Sequence, residues 1–187
     1  HESIYDEFCD LFVDETQKLA IGPGIDPNTK VGPMITEAAM QSVDAKVKAA
    51  IEDGAECLLG GEPMTDLGPQ FYAPTLLKNV NTTSDIWTTE TFGPVASIVS
   101  FKTEEEAIEV ANDVDVGLAA YFCTKDLKRA LRVSQKLESG MVGINEGVFS
   151  TAVAPFGGVK ESGLGREGSP MGIDEYLETK YVFMNTE

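Results

Sequence analysis

Between Val95 and Ile144 the sequence alternates two kinds of segment, and this alternation limits the fold most. Val95 to Phe101, Leu118 to Cys123 and Met141 to Ile144 are short continuous apolar runs that read as buried strands. Between them lie two helical stretches. Thr103 to Asn112 opens with Thr103 and Glu106 at capping-box spacing. Asp126 to Leu137 opens on a capping Asp126 and ends near Gly140. Strand, helix, strand, helix, strand with apolar strands predicts an α/β fold: a parallel sheet covered on both faces, with right-handed crossovers.

The flanking segments fit around that unit. Ser3 to Ile21 carries Ile4, Phe8, Leu11, Phe12 and Leu19 at helical spacing, with Cys9 beside the stripe. Gly22 to Pro33 is a breaker-rich connection. A helix capped by Thr36 is expected to run to about Asp53 with Met40, Val43, Val47 and Ile51 on one face, and Gly54 stops it. Cys57 to Leu59 reads as a short strand, and Phe71 to Val80 as mostly extended. Pro74 inside that stretch favours an edge or a bulge. Ile173 to Leu177 suggests a short helix, and Thr179 to Met184 a last strand. That strand either pairs with another chain or forms an edge of the same sheet; the residues leave both open.

Composition excludes several function classes. A net charge of -17 argues against nucleic acid and anionic membranes, which need clustered Lys and Arg. The acids are spread along helical stretches, as on a solvated surface, although steering of a cation would use the same charge. Glu104, Glu105 and Glu106 fit the first turn of a helix better than an acid/base pair. Cys9, Cys57 and Cys123 are odd in number and widely spaced, so no disulfide framework is expected and a reducing, cytoplasmic setting is the simpler inference. No apolar run suits a membrane span, and no signal peptide is evident. His1 is the single histidine, so neither a His-based triad nor a His-liganded metal site is expected.

Asn145 to Arg166 is a glycine-rich stretch that follows the last of the three apolar runs. A long loop leaving the end of a buried strand is where α/β proteins place ligand contacts, although a plain surface excursion has the same composition. Gly163, Gly165 and Gly168 spell G-x-G-x-x-G, but no buried strand leads directly into them, so a dinucleotide fingerprint is rejected. Glu90 to Val95, E-T-F-G-P-V, places an acid and an aromatic two residues apart before a strand. The acid could accept sugar hydroxyls while the ring packs on a heterocycle. A turn with a core Phe92 is the competing reading.

Taken in order, E-T-F-G-P-V at Glu90 to Val95, G-L-A-A-Y at Gly117 to Tyr121, G-M-V-G-I-N at Gly140 to Asn145 and P-F-G-G-V-K-E-S-G-L-G-R-E-G at Pro155 to Gly168 resemble the aldehyde dehydrogenase superfamily. S-I-Y-D-E-F near the start and V-G-P-M-I also match, so the resemblance spans the chain. I-N-E-G-V-F-S-T-A-V-A-P-F-G-G and G-L-G-R-E-G-S-P-M-G-I-D-E-Y-L-E-T-K-Y are most similar to its succinate-semialdehyde dehydrogenase branch. The resemblance implies the C-terminal portion of such an enzyme: residues 2–178 as catalytic, substrate-side domain and residues 179–187 as a strand of an oligomerisation sheet. It implies NAD or NADP as cofactor, a small aldehyde as substrate and a homo-oligomer. It further implies a cysteine nucleophile that passes through a thiohemiacetal and a thioester.

That cysteine, in a G-Q-x-C-type segment, the general-base glutamate and the nucleotide-binding domain lie upstream in the family. None of Cys9, Cys57 or Cys123 matches the nucleophile, so no catalytic residue is assigned and the chain alone is expected to be inactive. What carries over is Glu90 toward the nicotinamide ribose, Phe92 beside the nicotinamide, Ser150 toward the distal carboxylate of a semialdehyde and Phe156 in the aldehyde tunnel. Gly157 and Gly158 would let the loop approach the site, and Arg166 and Glu178 would form a bracing ion pair. Two alternatives stay open: another small aldehyde as substrate, or a non-catalytic α/β binding or assembly module.

Overall fold

The computed structural model describes all 187 residues, which form two compact units, His1–Ala107 and Ile108–Glu187. In the first, a single 3-10 turn, Glu2–Ile4, leads into α1, Tyr5–Thr16. This helix ends five residues before the expected Ile21, where the chain turns into the breaker-rich connection. Its inward face also differs from expectation. Cys9 and Thr16 are buried and Phe12 and Val13 half-buried, whereas Ile4, Phe8 and Leu11 are exposed.

Helix α2, Glu37–Glu52, supplies the core. The Thr36 hydroxyl accepts the N–H of Ala39 at 3.0 Å, satisfying a first-turn donor that would otherwise lack a partner. Gly54, at φ 103°, ends the helix in a conformation that costs glycine least. Met40, Val43, Val47 and Ala50 pack with Ala55, Tyr72, Leu77, Val80 and Ile86. Ala50 takes the place expected for Ile51, because 3.6 residues per turn carries the inward stripe from Val47 to position 50.

These side chains cover a three-stranded sheet of order β1–β2–β3: β1 Glu56–Leu59, β2 Thr75–Lys78 and β3 Val95–Ile98. β1 runs antiparallel to β2, and β2 parallel to β3 with Thr75 opposite Val95 and Lys78 opposite Ile98. Pro74 therefore precedes the central strand rather than marking an edge. Pairing starts one residue later, where the Thr75 N–H donates to Pro94 O at 2.8 Å, and the irregular register lies in β1, between Cys57 and Leu59. A four-residue helix absent from the sequence reading, α3 Asp85–Thr88, joins β2 to β3 and carries Ile86 into the core. The next helix, α4 Glu104–Asn112, has the expected capping: the Thr103 hydroxyl accepts the Glu106 N–H at 3.1 Å, and the Glu106 carboxylate accepts the Lys102 N–H at 2.7 Å.

In the second unit β5, Ala119–Phe122, pairs parallel with β6, Met141–Ile144, through the crossover helix α5, Leu127–Lys136. Asp126 caps α5 through the N–H groups of Lys128 and Arg129, at 2.7 and 3.2 Å. The parallel pairs β2–β3 and β5–β6 make this an α/β chain, but the three alternating strands do not share the one parallel sheet expected of them: β3 belongs to the β1–β2–β3 sheet, and β5 and β6 form a two-stranded sheet of their own. The strands from the alternating region are mostly half-buried rather than buried; within β5 and β6 only Gly143 is fully buried. A short antiparallel pair also forms between β4, Val116–Gly117, and β7, Val159–Lys160. Lys160 anchors it by donating to the carbonyls of Asn112 and Val114 at 2.7 and 2.9 Å and pairing with Glu138 at 2.7 Å.

Pro170–Tyr176 is a 3-10 stretch, beginning earlier than the expected helix at Ile173. Thr179 to Met184 forms no strand within the chain, and Tyr181, Val182, Phe183 and Met184 are exposed. No helix is long and apolar enough to cross a membrane.

Candidate cofactor and substrate residues

The residues expected to meet the cofactor lie in the first unit, on the segment between α3 and β3. Glu90 is exposed, and Phe92 is 82% exposed, which removes the reading of a turn built on a core phenylalanine. Two successive three-residue turns shape the segment: the Gly93 N–H donates to Thr91 O and the Val95 N–H to Gly93 O, both at 2.8 Å. Helix α2 supports it from below. A methyl group on Gly93 would stand 2.8 Å from Val43 Cγ2 and 3.3 Å from Met34 Cε, so close packing demands a glycine here. Lys46 Nζ donates to the Thr89 hydroxyl at 2.6 Å and to Glu90 O at 2.9 Å. The Thr91 hydroxyl oxygen is buried without a hydrogen-bond partner.

The substrate-side residues lie in the second unit, on the loop after β6. Asn145, at φ 58°, starts it and is fixed by two bonds of 2.8 Å: Thr124 N–H to its side-chain oxygen, and its Nδ2 to Thr124 O. The Glu146 carboxylate then accepts the N–H groups of Gly147 and Val148 at 2.9 and 3.1 Å. The Phe149 ring leans on Tyr121 with centroids 5.1 Å apart. Ser150 follows, exposed, and is brought together with the half-buried Phe156. Both line a cleft of about 200 Å³ with Met141, Phe149 and Pro155. They also line an adjoining cleft of about 190 Å³ with Leu118 and Tyr121. Neither cleft is lined by Arg or Lys; their hydroxyl-bearing side chains are Ser150 in both, Thr151 in the first and Tyr121 in the second.

The far end of the loop is closed by its backbone. Phe156 and Glu167 exchange N–H···O bonds of 2.8 and 2.7 Å. Arg166 donates through one Nη1 to the carbonyls of Gly158 and Gly165, at 2.8 and 2.7 Å. The expected Arg166–Glu178 ion pair does not form, because the guanidinium is already bonded to its own loop while Glu178 lies exposed beyond the 3-10 stretch. Gly157 approaches Gly140 and Arg166 closely, and Gly158 approaches Ser162.

The three cysteines differ in setting. Burial pushes the Cys9 thiol up, as it does the half-buried Cys57, so the thiolate is disfavoured at both. Cys123 is exposed. Sequence reasoning missed Lys46, Tyr121 and Phe149 as supports of these residues. Lys46 and Thr89 are 43 positions apart, and no local pattern joins them.

The pattern described as the aldehyde dehydrogenase family matches residues 1–182. The chain belongs to the aldehyde dehydrogenase family. It is 52% identical over 183 residues to the mitochondrial succinate-semialdehyde dehydrogenase of Oryza sativa subsp. japonica, covering 98% of this chain and 34% of that protein. Its structure is similar to that of a succinate-semialdehyde dehydrogenase from Burkholderia pseudomallei, with a TM-score of 0.90, 46% identity and coverage of 94% and 36% of the two chains. It is also similar to a betaine aldehyde dehydrogenase double mutant from Staphylococcus aureus crystallised with NAD+. There the TM-score is 0.93, identity 38%, and coverage 100% and 38%. The chain thus spans about a third of the length of the relatives it matches.

Aldehyde dehydrogenases depend on NAD or NADP. The Glu90 carboxylate makes no hydrogen bond within the chain, and the Phe92 ring stands open to a flat partner two residues away.

Proposed function

We propose that this chain is the C-terminal catalytic part of an NAD(P)+-dependent dehydrogenase that oxidises succinate semialdehyde to succinate. The observation that carries the substrate assignment is the meeting of Ser150 and Phe156 in one cleft. In this reading Phe156 packs along the aldehyde chain and the Ser150 hydroxyl donates to its distal carboxylate. A neutral hydroxyl alone is a weak anion site, so arginines elsewhere in the longer protein share the charge. Bound NAD(P)+ supplies the hydride acceptor. Glu90 accepts hydrogen bonds from the nicotinamide ribose, and Phe92 packs against the ring and shields that face from water.

On this reading the cysteine nucleophile and the general base lie in the longer protein, as the family resemblance implies; the thiols of Cys9 and Cys57, pushed up by burial, are poorly suited to act as thiolates. On this account the 187 residues alone do not turn over. Residues 2–178 act as the substrate-side domain. Residues 179–187 add a strand to an oligomerisation sheet of a homo-oligomer, a role supported by the exposed Tyr181, Val182, Phe183 and Met184. A cytoplasmic location is proposed from the free thiols, with a mitochondrial one as the alternative raised by the rice relative's name.

The competing substrate is another small aldehyde, favoured by the absence of Arg and Lys from both clefts and by the likeness to a betaine aldehyde dehydrogenase. Ser150→Ala in the complete enzyme separates the two. Loss of a hydrogen bond to a charged group, about 1.5 kcal/mol, raises KM for succinate semialdehyde roughly tenfold and leaves butanal unchanged. Equal effects on both substrates contradict the assignment.

A further inference from the structure

We propose that Lys46 is a positioning residue for the cofactor segment: its ammonium, rising from α2, fixes where the Glu90 carboxylate and the Phe92 ring stand. This rests on the reading of Glu90 and Phe92 as cofactor groups.

The segment has little else to hold it. The N–H groups of Glu90, Thr91 and Phe92 donate to no backbone carbonyl; within the segment only Thr91 O has a backbone partner, the Gly93 N–H, and the other fixed points are its two ends. At the far end Gly93 rests on Val43. At the near end Lys46 reaches the Thr89 hydroxyl at 2.6 Å, Glu90 O at 2.9 Å and, more loosely, the Asp85 carboxylate at 3.8 Å. Val43 and Lys46 are three residues apart on one helix and so share a face. The Lys46 side chain is only 17% exposed, which limits the solvent competing for its donors. The contact to Glu90 is to its carbonyl, so the carboxylate stays available for a ligand. Thr89 is tied independently to Asp85 through bonds of 2.8 and 2.9 Å, so losing Lys46 frees Glu90 more than it frees α3.

The test uses the complete enzyme with Lys46→Met, Lys46→Arg, Glu90→Gln and Phe92→Ala. The Kd for NADH is read by fluorescence without aldehyde, and hydrogen exchange is read over residues 88–93. Lys46→Met is expected to raise the NADH Kd about tenfold and to speed exchange at residues 90–92. KM for the aldehyde and the melting temperature should hold steady. Lys46→Arg, whose fork can reach both acceptors, regains most of the affinity. Unchanged NADH affinity in Lys46→Met, or a parallel loss of aldehyde and cofactor affinity with a lower melting temperature, overturns the proposal. If Glu90→Gln and Phe92→Ala leave the NADH Kd untouched, the cofactor reading has failed, and the positioning role falls with it.

Discussion

Gly93 and Val43 are packed so closely that a single methyl group on the glycine would stand 2.8 Å from the valine Cγ2. A short exposed segment therefore depends on a buried helix for its course. Gly93→Ala must push the segment off α2 or shift Val43, at a cost on the order of 1–3 kcal/mol. The expected outcome in the complete enzyme is a severalfold higher KM for NAD(P)+ with the aldehyde KM unchanged. Adding Val43→Ala opens the space and should return part of the cofactor affinity while lowering stability, since Val43 is buried.

Gly143 makes the matching prediction on the substrate side. A Cβ there would lie 2.8 Å from both the Phe149 and the Tyr121 ring and 2.8 Å from Glu146 O. Gly143→Ala should drive Phe149 off Tyr121 and carry Ser150 with it. Steady-state kinetics should show a raised KM for succinate semialdehyde and an unaltered KM for NAD(P)+. Equal changes in both constants would mean general unfolding of the loop.

Tyr72 links stability to alkaline pH. Its ring is buried and its hydroxyl donates to Asp44 at 3.3 Å. Burial first, then the Asp44 charge and hydrogen bond, push the phenol well above its ordinary value of 10.0. The unfolded chain therefore loses this proton before the folded one does. The stability that follows is full below about pH 10 and declines as pH rises above it. Tyr72→Phe should cost about 1 kcal/mol at pH 7 and remove that alkaline decline. Urea unfolding of both chains at pH 7 and pH 11 reads the difference.

Arg166 should matter and Glu178 should not. Arg166→Ala removes two charge-assisted bonds to backbone carbonyls, at 2.8 and 2.7 Å. A loss of about 1.5–3 kcal/mol and faster hydrogen exchange from residues 156 to 167 are expected. Glu178→Ala, at an exposed position, should stay within about 0.5 kcal/mol of the parent chain. A large effect of Glu178→Ala would restore the ion pair that the structure replaces.

What was legible in the sequence was local. Thr36, Asp126 and the Thr103–Glu106 pair announce their helices because a cap acts within three residues, and each makes the predicted bond. Contacts between distant residues were not legible. Periodicity gave α1 an Ile4–Phe8–Leu11 stripe, but tertiary packing turned Cys9 and Thr16 inward. The two-residue β7 and the Lys160 anchor join residues 112 to 160, which no window of sequence connects. The four-residue α3 is too short to show a period. Ser150 and Phe156 were named through family resemblance; the structure adds the Phe149–Tyr121 contact beside them.

On the proposed function, the Ser150 cleft receives the distal carboxylate of a semialdehyde. The most direct measurement is the rise in nicotinamide absorbance when the complete enzyme meets succinate semialdehyde or butanal. A kcat/KM at least tenfold higher for succinate semialdehyde is predicted, and Ser150→Ala should cut that preference by about tenfold. Equal kcat/KM for the two aldehydes in the parent enzyme would contradict the account.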